Sequence, residues 1–321
     1  MMLIKIIKRP SVNILLTVAM SIGSVAWLSI RSGYGLGYVP VRAKEVIKSF
    51  LFRGYGPKTV SGRVLLSEYC RLCALSLFQK NSEPCQERML VFTVFAFEPL
   101  NVICGFAEIF IKECYYFTAT RNDPFIIDCG SNIGISVLYF KMLYPNSEIL
   151  AFEPSKHCFE MLQRNIQNNA MHNVVAVNKA VCDRVGTCSF WDPSHGKGDG
   201  RASIVVNHND TRNLTTTECA KLSSYISKPV DLLKMDVEGA EHEILNDLIQ
   251  SKKLALVRQL VLEYHHHTPT AESDQLGHFL SLLEEHGFGY QIRGCNFGIG
   301  YQFEAREGQV LIIHAYKKQS K

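Results

Sequence analysis

Phe125-Ile126-Ile127-Asp128-Cys129-Gly130-Ser131-Asn132-Ile133-Gly134 is the stretch whose reading decides the fold. It opens as an apolar strand, places an acid where the strand ends, and turns through two glycines. An apolar helical pattern follows at once through Ile135, Val137, Leu138 and Phe140. Glycine lets a ligand approach the main chain closely, and the free N–H groups of a helix start can meet a carboxylate or phosphate. A dinucleotide-binding loop would read G-x-G-x-x-G directly after its strand. Here Asp128 stands at the first glycine position and Ile133 at the third, with Gly134 one residue late. An acid at the first position suits a ligand that carries an amino group. S-adenosylmethionine has one on its methionine end, so a methyl donor is expected ahead of a nicotinamide cofactor.

The signals downstream come in the order this expectation needs. The apolar strand Ile149-Leu150-Ala151-Phe152 ends in Glu153-Pro154, roughly one strand–helix–strand unit beyond Gly130. A carboxylate there can accept both ribose hydroxyls of an adenosine. Glu153 therefore speaks for adenosine without saying which cofactor carries it; read alone, it is also an ordinary surface acid at a strand end.

A second strand-to-helix run, Val230-Asp231-Leu232-Leu233-Lys234-Met235-Asp236-Val237-Glu238-Gly239-Ala240-Glu241, makes the reading specific. Together the two stretches resemble the FkbM family of S-adenosylmethionine-dependent methyltransferases. That family pairs a D-x-G-x-N-x-G loop with a downstream D-L-L-K-x-D-x-E-G-A-E segment. Glu108-Ile109-Phe110, Phe152-Glu153-Pro154, Asn165 and Asn169 extend the likeness over roughly residues 90 to 265. The resemblance implies a class I, Rossmann-like methyltransferase fold: a doubly wound, mostly parallel α/β sheet. It implies O-methylation, with sugars and polyketide-type hydroxyls among the acceptors, and cofactor contacts from Asp128, Gly130, Asn132, Gly134 and Glu153. A nicotinamide-dependent oxidoreductase and a non-catalytic, membrane-anchored module of the same fold are the competing readings.

Asp128, Glu153, Asp236 and Glu263 are all acids at the carboxyl ends of expected strands, where open parallel sheets bind ligands. A hydroxyl acceptor must lose a proton, which calls for a base or a metal, whereas a carboxylate acceptor needs neither. Asp236 and Glu238 are the candidates for that base or for orienting the acceptor. Both positions are also favoured for helix capping, with Asp236 as the cap and Glu238 in the first turn. Lys234, on an otherwise apolar strand, is expected to pair with a nearby acid. A metal held by Asp236, Glu263 and His265 is a further reading, but no pattern fixes three ligands on one side, and none is assigned. Tyr116 and Tyr264 are candidates for lining the acceptor pocket.

The alternation from Phe125 onward sets strands at Phe125–Asp128, Glu148–Phe152, Val174–Val177, Val230–Met235, Gln259–Glu263 and Val310–Ala315, with a helix over Gln275–Glu285. Upstream, Leu65–Phe78 and Gly105–Tyr115 have helical spacing and Met89–Phe97 reads as one strand. The polar stretch from Cys188 to Leu222 reads as an irregular insertion, a lid or a loop. Domain boundaries follow: residues 1–31 an apolar anchor or signal segment, 32–120 a linker and helical extension, 121–321 the catalytic domain.

Composition narrows the partners. In 321 residues the net charge is only +4 and evenly spread, which argues against nucleic acid. A small-molecule or glycan acceptor is expected instead. Lys5, Lys8 and Arg9 precede an apolar stretch from Ser11 to Ile30, closed by Arg31. About 20 residues suffice to cross a bilayer, so residues 11–30 are expected to anchor the chain as a single pass. A cleaved signal at Ser24-Val25-Ala26 and a mitochondrial presequence compete with that, leaving lumenal, secreted and mitochondrial compartments open. Eleven irregularly spaced cysteines do not form a disulfide framework. Cys70, Cys73 and Cys85 read as buried thiols rather than a metal set. The sequons at Asn209 and Asn213 favour a lumenal domain only weakly.

Overall fold

A computed structural model describes residues 60–76, 84–192, 214–266, 275–294 and 309–318. The expected anchor over residues 11–30, residues 193–213 of the polar stretch and the asparagines of both sequons lie outside the described residues. Among those described, no helix is long and apolar enough to cross a membrane. The chain divides into two compact units, one running to Cys114 and including 296–302, the other comprising Tyr115–Cys295 and Phe303–Lys321.

In the first unit, α1 (Gly62–Ser76) buries Leu65, Tyr69, Leu72 and Cys73, a helical stripe. Where the sequence suggests one strand over Met89–Phe97, two antiparallel strands stand, β1 (Cys85–Met89) and β2 (Phe92–Ala96). Apolar residues run through the turn and hide it. Leu90 makes the turn with φ 56° and donates its N–H to Glu68 Oε1 at 2.7 Å. The segment expected as a helix over Gly105–Tyr115 starts earlier, as α2 (Pro99–Gly105), and continues as a π-helical turn over Phe106–Ile111. Cys70 and Cys73 are buried and Cys85 half-buried, all three as free thiols.

The second unit is built on β3 (Phe125–Cys129), β4 (Glu148–Phe152), β5 (Val174–Val177), β9 (Leu232–Met235), β10 (Gln259–His266), β11 (Phe288–Gly294) and β12 (Gln309–Lys317). Their order across the sheet is β11-β12-β10-β9-β3-β4-β5. The five strands from β10 to β5 run parallel, and β12 is antiparallel to both β10 and β11. Every residue of β3 and β9 is buried, as a central parallel strand covered on both faces requires. Helices α3 (Ile135–Leu143), α4 (Lys156–Asn168), α5 (Glu241–Gln250) and α6 (Leu276–Glu285) cover the sheet. The chain steps outward from β3 to β5 and later returns to β9 on β3's other side. The gap between β3 and β9 is therefore the switch point of the sheet, the place such folds use for ligands.

The stretch expected to be irregular between Cys188 and Leu222 is bounded by paired strands. Strands β6 (Ala180–Cys182), β7 (Gly186–Trp191) and β8 (Leu214–Lys221) form a separate sheet ordered β6-β8-β7. The Thr215-Thr216-Thr217 run reads as polar, but threonine is β-branched and suits a half-exposed strand.

Candidate functional site

The glycine loop between β3 and α3 is pinned to β4. Gly130 and Ser131 both donate their N–H to the Phe152 carbonyl, at 3.0 and 2.9 Å, and Gly134 donates to Ser131 at 2.8 Å. These N–H groups, which the sequence offers to a ligand, are therefore used to set the turn. Gly130 has φ +78°, and a Cβ there would lie 1.8 Å from the Asp236 carbonyl oxygen. Glycine is required because the end of β9 crowds the loop. Gly134, at φ +91°, begins α3, and a Cβ on it would meet Leu162 Cδ1 at 2.6 Å. Asn165 on α4 holds the turn from the other side, donating to the Ile133 carbonyl at 2.8 Å.

Asp128 does not face outward. Its carboxylate is fully buried; Oδ2 accepts from Ser136 Oγ at 2.6 Å, and Oδ1 lies 3.1 Å from Lys234 Nζ. The amino group that meets this acid belongs to the protein. Lys234 also donates to the Gly130 carbonyl at 2.7 Å and lies 3.6 Å from Asp236 Oδ2. Burial opposes its charge, but Asp128 and Asp236 outweigh that and hold its pKa above the ordinary lysine value. Lysine on the apolar strand thus finds its acids, one on the neighbouring strand and one at its own strand's end.

Glu153, at the end of β4, takes one backbone N–H on each oxygen: Asn132 N on Oε2 at 2.7 Å and Ser155 N on Oε1 at 2.8 Å. It is only 6% exposed, and burial pushes its pKa up to about 7 despite those two donors. A solvent-open cavity lies beside it, lined by Gly130, Asn132, Glu153, Lys179, Asp236 and Glu238, with Phe152, Val181 and Phe190 among its apolar walls. Asp128 and Gly134 are not on its lining. The buried Asn132 Oδ1 has no hydrogen-bond partner, and Asn132 itself is held at φ 48°.

Across the cavity, Asp236 is not the helix cap that its sequence position allows. Helix α5 starts at Glu241, with Ala240 as its N-cap residue and no side-chain cap. The Asp236 carboxylate instead faces the hydroxyl of Tyr115, 3.0 Å away, which also lies 2.7 Å from Glu263 Oε1. Tyr115, unmarked in the sequence, thus bridges two strand ends. Its neighbour Tyr116 turns its hydroxyl to Thr118 at 3.1 Å, and Tyr264 is buried against His242 at 2.9 Å. Ligand atoms of Asp236, Glu263 and His265 lie within 4.8 Å of one another. The imidazole is engaged by two other carboxylates, however: Nε2 lies 3.1 Å from Glu238 Oε2 and Nδ1 2.8 Å from Glu241 Oε1.

Residues 128–290 match the family described as the Methyltransferase FkbM domain, just over half of the chain. The chain belongs to the FkbM methyltransferase family. FkbM relatives with curated names include Methyltransferase 1 of Beauveria bassiana, 33% identical over 56% of this chain and 78% of that protein. Methyltransferase sdnD of Sordaria araneosa is 31% identical over 57% of this chain and 80% of its own length. The 31-O-demethyl-FK506 methyltransferase FkbM of Streptomyces tacrolimicus is 25% identical, over 57% and 80% respectively. The FkbM chain described here is an S-adenosylmethionine-dependent methyltransferase. Its residues suit that cofactor: Asn132 Oδ1 is a buried acceptor awaiting a donor, and Glu153 keeps a lone pair on each oxygen for a hydroxyl. The nicotinamide and non-catalytic readings gain no support from the family match.

Proposed function

We propose that this methyltransferase acts on oxygen, methylating a hydroxyl or carboxyl of a small-molecule or glycan acceptor. The observation that carries the reading is one cavity with two kinds of carboxylate: Glu153 tied to backbone N–H groups on one wall, and Asp236 with Glu238 on the other. The Streptomyces tacrolimicus relative, a 31-O-demethyl-FK506 methyltransferase, supports oxygen as the target. When bound, S-adenosylmethionine supplies an electrophilic methyl group, the electron pair of the breaking S–C bond staying on sulfur.

The chain's own residues then divide the work. Glu153 accepts the ribose hydroxyls, and Asn132 Oδ1 accepts from the amino group of the methionine end. Asp128, Gly130 and Gly134 serve the cofactor indirectly, by fixing the loop and the lysine beneath it. Asp236, faced by Tyr115 and Lys234, has its lone pairs directed toward donors and suits orienting the acceptor. Burial raises Glu238 above the ordinary carboxylate value, which suits it to accept a proton.

Two measurements test this. S-adenosylhomocysteine should raise the melting temperature of the full-length protein, and at about 100 times its dissociation constant the added stability is about 2.7 kcal/mol. Tritiated methyl groups should then pass from the donor to members of a panel of alcohols, sugars and carboxylic acids. Label that survives mild alkali marks an ether and label that does not marks an ester. Transfer only to nitrogen or carbon acceptors would sink the oxygen assignment.

A further inference from the structure

Glu238 is on the cavity lining and His265 is not, and both ring nitrogens of His265 are engaged. Each faces a carboxylate oxygen, Glu238 Oε2 at 3.1 Å and Glu241 Oε1 at 2.8 Å. With both carboxyls ionised, both nitrogens carry hydrogen and the ring is an imidazolium, the form that Glu238 and Glu241 favour. It therefore has no lone pair with which to act as a base itself. Glu241 side-chain oxygen Oε1 also accepts the Gly239 N–H at 3.2 Å, and Glu241 is 1% exposed. One buried carboxylate thus braces the imidazole and the turn that carries Glu238. That turn is strained: Glu238 sits at φ 53°, a region a non-glycine residue enters at a cost, and Gly239 follows at φ 110°. Strain of this kind persists only where surrounding contacts over-determine it, and here they are Glu241 and His265.

We infer that His265, braced by Glu241, is a positioning residue that aims the Glu238 carboxylate into the cavity, where Glu238 takes the proton of the acceptor's hydroxyl. The inference rests on the oxygen-methylation reading above. In the step it serves, the acceptor's O–H bond breaks, the proton goes to Glu238, and the oxygen pair forms the new bond to the methyl carbon. The sulfonium sulfur keeps the electrons of the bond it loses. Charge decides why a cation is needed. Asp236 and Glu241 both face Glu238 and would favour its protonated form, as burial does; His265 is the group that opposes them. On its own side, burial disfavours the charged imidazole, but Glu238 and Glu241 hold its pKa well above the ordinary histidine value.

Long-range proton–nitrogen spectra of the full-length protein read the arrangement directly. His265, assigned in the wild-type protein by through-bond connectivity to its backbone, should be doubly protonated at pH 7.5 and titrate at lower pH in Glu241→Gln. Kinetics with the first acceptor labelled in the panel add a second readout. Glu238→Gln should lose on the order of 10²- to 10⁴-fold in kcat, the span of a general base. His265→Gln should lose less, keep the melting shift given by S-adenosylhomocysteine, and move the acid limb of its kcat profile to higher pH. A neutral His265 in the wild-type spectrum overturns the inference even if the variants fail to fold. So does an unmoved acid limb in a His265→Gln protein that still binds S-adenosylhomocysteine. Failure of the wild-type protein to bind S-adenosylhomocysteine would instead overturn the donor reading on which the inference stands.

Discussion

The effect of Glu153→Gln on stability should change with pH, as the mere removal of a hydrogen bond from the cavity wall would not. In the folded chain this carboxyl titrates at about 7, against 4.5 for an unperturbed group. The folded state therefore binds the proton more tightly than the unfolded state does. Its contribution to stability is fully present below pH 4.5 and is lost as pH rises through 7. The difference of about 2.5 pH units corresponds to about 3 kcal/mol. Glu153 is more than nine-tenths buried, so solvent screening takes little from that figure. Glutamine cannot ionise and loses nothing over the same range. It also cannot accept two N–H bonds, which adds a penalty independent of pH. The assay is urea unfolding of wild type and variant, without ligand, at several values from pH 4.5 to 8. The variant's stability relative to wild type should climb by about 3 kcal/mol across the series. Affinity for S-adenosylhomocysteine should run the opposite way in the wild type, rising with pH as the carboxylate becomes a full acceptor for the ribose hydroxyls, and stay flat in the variant. Parallel stability curves for the two proteins would refute the assignment of the titrating group, and a pH-independent wild-type affinity would remove Glu153 from the ribose.

Gly130→Ala should fail to give a stable fold, because a Cβ would stand 1.8 Å from a backbone oxygen that has no side-chain freedom to yield; Gly277→Ala, in open space on α6, should be neutral or stabilising by up to about 1 kcal/mol in a melting comparison. Lys234→Met leaves the buried Asp128 carboxylate without its cation and should cost about 3–5 kcal/mol in chemical denaturation, with Asp128→Asn added to the same chain recovering part of it. A loss under about 1 kcal/mol would mean that the pair is already compensated elsewhere. Residues 1 to 40 fused to a soluble reporter should stay in the membrane fraction after carbonate washing; a shortened, soluble reporter would point to a cleaved leader instead.

The cavity wall at Gly130, Asn132 and Glu153 was legible because it is written locally. Gly130, Asn132 and Glu153 lie on two strand ends about twenty residues apart, and each end announces itself by an apolar run stopping at a polar or glycine residue. The same locality misled the reading of Asp128. Sequence order places an acid beside a ligand loop, but cannot say that a lysine more than a hundred positions away shares the register. Asp128 pairs directly with Lys234 across β3 and β9, so the acid and the cation meet inside the sheet. That pairing also explains why a lysine survives on a strand where every residue is buried. The small β6-β8-β7 sheet was missed for another reason: its middle strand, β8, is threonine-rich and half-exposed, so polarity hid it.

The acceptor side was less legible, and the reason is distance along the chain. Tyr115 meets Asp236 and Glu263 across separations of 121 and 148 residues, and no local pattern distinguishes it from Tyr116 beside it. His265 reads as one of three histidines at a strand end until β10 is laid beside the turn after β9. There its two nitrogens fall between Glu238 and Glu241, which the sequence presents as a pair of ordinary first-turn acids. The two sides of the cavity thus differ in kind. The wall at Gly130, Asn132 and Glu153 is set by backbone geometry that a short motif can specify, whereas Asp236 and Glu238 are held by Tyr115, Lys234 and His265, side chains that meet them only in the fold.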